Sequence, residues 1–411
     1  MLAFVRLDAA RGHGSDAGGL TMTSVDVLIA GAGPAGSALA AALAGHGAKI
    51  MLVEASEHPR PKACAEYASP RIAEELARLG VADGWTDAAV RLRGMDLHAG
   101  GRCVPIRYED LRGPREAWGV DRRSFDAMLA GHAVHAGTRL RERTTLVGLF
   151  NEGSRVRGAT LRDQRTGRNE VVSAGWVVGA DGTRSSVSRM VGVDRPVRFP
   201  LRLGLVAHYA GLSDLADHGE MHVGSGYYIG LAPTPGGELN VGMALPMEDH
   251  GRSARQRFDE AVAGLPAVAR RLRQSPRLTP IRGVAPIGHR VSAAAGPGWL
   301  LIGDAAGFVD PFTGEGIHRA LRSARAAAAA IMAGGDVARA YRAERRRAFA
   351  AKTALSWLVQ GFLAAPPLLE HVVERLASRP RAALRIGSAL GDCRPATEAL
   401  SPASLLEVLA P

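Results

Sequence analysis

Lysine is nearly missing from this chain of 411 residues: Lys49, Lys62 and Lys352 are all there is, and the rest of the 51 basic residues are arginine. Against 40 acidic residues the net charge is +11, yet the arginines are spread along the chain. No basic helix, zinc module or aromatic-and-basic RNA motif accompanies them, and aromatic residues make up only 5%. The charge therefore reads as a compositional bias rather than a nucleic-acid footprint. Cysteine is scarce as well. Cys64, Cys103 and Cys393 are odd in number and have no CxxC spacing, which argues against a disulfide framework and against a structural metal site, and makes a reducing cytoplasm the expected setting. Long apolar runs are absent. Residues 1–21 lack the h-region of a signal peptide, and the most apolar late stretch, residues 354–369, is interrupted by Gln360, Pro366 and Pro367. It is too short and broken to span a bilayer, which leaves core packing as its expected role, ahead of pocket cover, peripheral membrane contact or an oligomer contact.

What is present is enough apolar sequence, 46%, for more than one core in a chain of this length. Residues 25–30 (VDVLIA) suit a buried parallel strand. They run into Gly31-Ala32-Gly33-Pro34-Ala35-Gly36 and then an alanine-rich helix ending near Gly45 or Gly47. Residues 49–54 (KIMLVE) form a second strand, completing a βαβ unit. Helices are expected over 70–79, 123–136, 254–273 and 317–333, and residues 201–287 are otherwise strand-rich. Prolines 366, 367 and 380 divide a helical remainder.

Three segments carry chemistry. In the first, Gly31 permits a tight turn, Gly33 gives a pyrophosphate access to backbone, and Gly36 lets the helix pack closely, while its N-terminus favours anions. Glu54 ends the second strand where a carboxylate accepts from a ribose diol. In the second segment, residues 175–189 (GWVVGADGTRSSVSR), a buried strand delivers Asp181-Gly182 to a turn; alone, this reads as an ordinary turn. In the third, residues 299–317 (WLLIGDAAGFVDPFTGEGI), the strand ends at Asp304. Pro311, Gly314 and Gly316 then force an irregular backbone into a helix starting near Ile317, a loop suited to presenting N–H groups to a developing negative charge.

Taken together these segments resemble the flavoprotein fold of p-hydroxybenzoate hydroxylase and its relatives, over roughly residues 25–333. The resemblance implies an α/β protein with a Rossmann-like FAD-binding domain, an inserted mostly β substrate domain and C-terminal helices. It implies FAD contacts for Gly31, Gly33, Pro34, Ala35, Gly36, Glu54, Asp181, Gly182, Asp304, Pro311, Gly314, Gly316 and Ile317, and places Arg122 near the cofactor. Within that superfamily the chain most resembles the geranylgeranyl reductase group, through Pro61-Lys62-Ala63-Cys64, residues 227–242 (YYIGLAPTPGGELNVG) and residues 303–316 with the helix that follows. It departs from that group after Cys64, where Ala65-Glu66-Tyr67 replaces glycines. The Trp-x-Trp-x-Ile segment of flavin halogenases is absent.

The expected division is an N-terminal extension over 1–22, an FAD domain from 23–95, 115–195 and 291–333, a β-rich substrate domain from 96–114 and 196–290, and a helical region over 334–411. The expected activity is hydride reduction of a carbon–carbon double bond in a lipophilic prenyl or polyketide-like substrate. Cys64 or Glu66 would manage the proton, and Tyr227 and Tyr228 would face the substrate. NADPH or NADH would serve as a transient donor, since no second glycine-rich strand–helix turn is present. The alternatives are a flavin monooxygenase acting on an aromatic or polyketide product and, last, a non-catalytic protein of membrane surfaces or nucleic acid. A long apolar tunnel over the flavin would argue for a prenyl chain, a broad cavity for a polycyclic aromatic.

Overall fold

The computed structural model describes residues 23–81, 84–212, 215, 217–247 and 251–409; the expected N-terminal extension, residues 1–22, lies outside them. β1 (Thr23–Ala30), α1 (Pro34–Ala44) and β2 (Ile50–Val53) form the anticipated unit. β1 lies between β2 and Asn169–Gly179, both parallel to it, with Arg139–Arg141 beyond β2 and Trp299–Leu301 on the far side of Asn169–Gly179. The register brings the carboxyl ends level: Arg141 pairs with Val53, Val53 with Ala30, Ala30 with Gly179, and Gly179 with Leu301. Ligands of open parallel sheets bind along such an edge. Behind it, the small residues of α1 pack between α2 (Arg122–His135) and α3 (Gly316–Ala333).

A second sheet runs Arg282–Val284, Arg202–Ala210, Glu238–Pro246, Tyr228–Thr234, Gly219–Val223, Met95–Ala99, Arg102–Ile106. The last two strands come from far earlier in the chain. Phe258, Val268 and Leu272 pack with Ile229, Leu231 and Val241 of this sheet in one buried cluster. They belong to two helices, Ala254–Ala263 and Pro266–Arg273, not the single helix expected over 254–273. Leu265 is extended (φ −121°, ψ 90°) and Pro266 opens the second helix, so the first cannot continue through it.

The C-terminal helices are α4 (Val337–Ala364), α5 (Pro366–Ala377), α6 (Pro380–Leu390) and α7 (Pro402–Leu409), with a shorter one at Ala396–Ala399. Among the described residues no single helix is long and apolar enough to cross a membrane, and α4 and α5 are bent by 113° at Ala365. Leu363, Leu369, Val373 and Val408 join Leu97, Val104 and Met221 of the second sheet in one buried cluster, so these helices close over that sheet.

A buried ionic group fastens them to α3. Asp392, just beyond α6 and left-handed at φ 62°, has Lys352 Nζ 2.9 Å from one oxygen and His318 Nδ1 3.0 Å from the other. Lys352 also donates to the carbonyls of Ala389 and Leu390 and lies 3.5 Å from Glu315. Burial alone would raise the Asp392 carboxyl, but Lys352 and then His318 hold it below its ordinary range. A depressed carboxyl adds stability above its unfolded pKa of about 3.9 and loses it as the pH falls. Unfolding free energy, measured by urea titration across pH, is therefore expected to drop as the pH passes below about 4. Asp392→Asn is expected to lose that share of the acid dependence, and about 3–5 kcal/mol at neutral pH. Identical acid limbs in both proteins would contradict this.

Candidate active site

The level strand ends deliver Gly31, Glu54, Asp181 and Asp304 to one edge, and all four line a single cavity of about 680 Å³. The turn after β1 can only be glycine. Gly31 has φ +103°, and a Cβ there would stand 2.5 Å from the Ala180 carbonyl oxygen. A Cβ on Gly36 would lie 1.9 Å from the Gly31 oxygen, whereas one on Gly33 would meet nothing closer than the Arg60 guanidinium at 3.6 Å. Close packing thus belongs to the first and third glycines, and the second leaves backbone open to the cavity. Gly33 caps α1 without a side-chain hydrogen bond, so the amino end of the helix faces the cavity uncapped.

Glu54 accepts from the Ala32 N–H (3.0 Å) and the Ser56 N–H (3.1 Å), with Arg60 at 3.3 Å. Arg60 and Lys62 both line the cavity; the sequence offered no local pattern that marked Arg60. One oxygen of Asp181 accepts from the Ser186 N–H and hydroxyl, each at 2.7 Å, and the other is buried without a partner. The turn role and the cavity role are therefore divided between the two oxygens of one carboxylate. Asp304 lines the cavity and its side chain makes no hydrogen bond among the described residues. Pro34, Ala35, Gly182, Pro311, Gly314, Gly316 and Ile317 line the same space, while Gly36 lies behind it as packing.

Arg122, Cys64 and Glu66 meet at the floor. Arg122 is buried and bidentate to Asp126 at 2.8 and 2.9 Å. Burial works against its charge, but Asp126 and Cys64 beside it hold its pKa well above the ordinary value. Glu66 is buried with φ 56°, a costly conformation for a residue with a side chain. One of its oxygens accepts from the Arg122 N–H (3.2 Å), the other from His208 Nε2 (2.8 Å) and Asn240 Nδ2 (3.1 Å). That hydrogen bond from His208 raises the imidazole pKa. Asn240 also donates to the Cys64 carbonyl at 3.0 Å, so Glu66 and Asn240 pin the segment that carries the thiol. His208 and Asn240 stand 142 and 174 residues from Glu66; no short motif announces His208, whereas Asn240 lies inside the 227–242 stretch without anything local to assign it this role.

The two tyrosines expected at the substrate part company. Tyr228 lines the cavity, and its hydroxyl donates to Asp310 at 2.6 Å, where Arg202 also binds. Tyr227 does not line it; its hydroxyl donates to the Ala261 carbonyl at 3.1 Å. Tyr227 stands just before the strand, which begins at Tyr228. The late helices do more than pack the core: Leu355, Val359 and Phe362 of α4, Val373 of α5 and Val408 of α7 wall the cavity. On the second sheet, His98, Glu220 and His222 bring ligand atoms within 4.8 Å. The two imidazole ring centroids lie 4.3 Å apart with the planes 6° from parallel, and Glu220 accepts from His222 and Arg271. Parallel ring planes keep the two in-plane lone pairs from meeting at one cation.

The cradle fits a dinucleotide: backbone open at Gly33, carboxylates at both ends, and a lone buried oxygen on Asp181. A Cβ at position 31 both strains the turn and strikes Ala180. Gly31→Ala is expected to weaken FAD retention about 10- to 100-fold, read from flavin absorbance after gel filtration. Undiminished retention would contradict the cradle.

Residues 24–355 match the family described as FAD binding domain. A menaquinone reductase from Mycolicibacterium smegmatis is 32% identical over 329 residues, spanning 76% of this chain and 78% of that protein. A digeranylgeranylglycerophospholipid reductase from Methanosarcina acetivorans is 29% identical over 322 residues, spanning 76% and 77%. Among solved structures, a geranylgeranyl bacteriochlorophyll reductase-like protein from Thermoplasma acidophilum superposes with a TM-score of 0.76 at 23% identity, covering 94% of this chain and 100% of that one. A flavin-dependent brominase does so with a TM-score of 0.77 at 21% identity, covering 90% and 94%; these two likenesses show the fold alone. With a cradle of this form and a family match across most of its length, the chain belongs to the FAD-binding domain family and is an FAD-dependent oxidoreductase.

Proposed function

We propose that this chain reduces a carbon–carbon double bond in an isoprenoid substrate. One observation carries the reading: the cofactor cradle and the apolar space walled by the second sheet and the C-terminal helices are one continuous cavity. The names of the reductases at 32% and 29% identity support it. An apolar wall with few polar groups suits a ligand held by burial of hydrocarbon, at about 0.8 kcal/mol for each CH₂ removed from water.

FAD, when bound, supplies hydride; NADPH or NADH would serve as its transient donor. The chain's own residues do the rest. Gly31, Gly33 and Gly36 with Glu54, Asp181 and Asp304 hold the dinucleotide along the strand ends. Leu355, Val359, Phe362 and Val373 exclude water and lay the isoprenoid against the loop of residues 303–316. A proton must accompany the hydride, and Cys64, which lines the cavity near Arg122, would hold it on Sγ. Glu66 acts as a positioning residue, because both of its oxygens are engaged in fixing the Cys64 segment.

Anaerobic photoreduction of the holoenzyme followed by one equivalent of geranylgeranyl diphosphate or a prenylated naphthoquinone tests this. Flavin reoxidation is expected for at least one of them, with a product that remains two mass units heavier after any quinol has been reoxidised to quinone. Reoxidation without a saturated product, or oxygen-18 incorporation under air, contradicts the reading. Val373→Trp, which fills the cavity wall, is expected to raise the apparent KM about tenfold or more while the flavin spectrum is unchanged.

A further inference from the structure

Tyr67 and Tyr108 lie on the apolar side of the cavity with their hydroxyl oxygens 2.8 Å apart. Among the described residues neither hydroxyl has another partner. Two hydroxyls carry two protons, and only one can lie between the oxygens. The other belongs to the accepting hydroxyl and has no acceptor among the described residues, although both side chains are buried, at 9% and 6% exposure. A buried donor without a partner is costly, about 1–3 kcal/mol, so this pair is built as half of an interaction.

The rings cannot turn aside from it. A Cβ on Gly314, in the flavin loop, would stand 2.7 Å from Tyr67 Cδ1, and one on Gly391, at the end of α6, would stand 2.4 Å from Tyr108 Cδ1. The neighbours on this side are Met95, Leu97, Ile106 and Met221. Tyr228 is polar too, but its proton already goes to Asp310, and Thr313 in the adjoining loop brings a further buried hydroxyl to the cavity. Arg107, the nearest cation, is paired with Asp96 at 2.8 Å and does not line the cavity. Burial raises both phenols above their ordinary pKa, so they remain donors.

We propose that the Tyr67–Tyr108 pair is a subsite for a neutral carbonyl oxygen on the isoprenoid ligand, as a quinone ring presents. The assignment rests on the cavity being the substrate site. An anionic head group would find beside the pair only Arg107, held by Asp96 and off the cavity wall among the described residues, and a pure hydrocarbon would leave the proton unmatched. Either tyrosine can take the outer donor role, so the pair survives loss of one hydroxyl and fails on loss of both.

The test titrates the oxidised holoenzyme with three probes, a short-chain prenylated naphthoquinone, geranylgeranyl diphosphate and squalene, and reads the perturbation of flavin absorbance. The quinone is expected to bind roughly five- to tenfold more tightly than squalene, the advantage of one buried hydrogen bond. Tyr67→Phe or Tyr108→Phe should keep most of that preference, and the double variant should lose it with squalene affinity unchanged. Infrared difference spectra of the ¹³C-carbonyl quinone should show a lowered stretching frequency in the wild type and a normal one in the double variant. Equal binding of quinone and squalene, tighter binding of the diphosphate than of the quinone, or an unshifted carbonyl in the wild type overturns the subsite alone. If no probe perturbs the flavin of the wild-type protein, the cavity reading falls with it.

Discussion

The contact between the Gly31 turn and the Ala180 carbonyl is the constraint from which the site follows. With no side chain at 31 or 36, the amino end of α1 presses onto the strand ends with backbone against backbone, closer than any Cβ would permit. The same closeness places the Asp181 turn next to the glycine turn. Gly303, whose Cβ would stand 2.9 Å from that of Ala35, brings in the third segment. Three stretches separated by well over a hundred residues thus share one surface because their strands end in register. The dinucleotide site is a property of the edge of the sheet, with the side chains refining what the backbone has set.

The other half of the site depends on an ionic anchor. Lys352, one of three lysines in the chain, ties α4 to the carbonyl ends of α6, to Asp392 and to Glu315, which sits between Gly314 and Gly316 of the cofactor loop. The helices that wall the apolar space are therefore fixed to the loop of residues 303–316. Buried charge of this kind is weak support for stability in itself but strongly resists the loss of one partner. Its effect here is registry: the apolar wall and the cofactor loop move as one piece.

Sequence revealed what is local. The glycine turn, Glu54 and Asp304 were legible because each lies within a few residues of a buried strand whose end sets its place. The break at Leu265–Pro266 was marked by Gly264 and Pro266, but the apolar pattern running on through both short helices overrides them in a reading of one helix over 254–273. Tyr227 and Tyr228 could not be told apart without knowing where the strand begins, and it begins at Tyr228. Tyr67 and Tyr108 are 41 residues apart, on strands of different sheets, and meet only because both approach the loop ends that the C-terminal helices cover. The late helices read as core because lining a cavity with leucine and valine and packing a core with them leave the same trace in sequence.

The central claim is that one cavity holds both the dinucleotide and an isoprenoid. A crystal structure of the holoprotein grown with a C20 prenylated ketone decides it. Dinucleotide density is expected along Glu54, the turn of residues 31–36 and Asp304, and chain density running from Tyr67 past Val373 toward Val408. A cofactor lying elsewhere, or a chain bound outside the walls formed by α4, α5 and the second sheet, would contradict it.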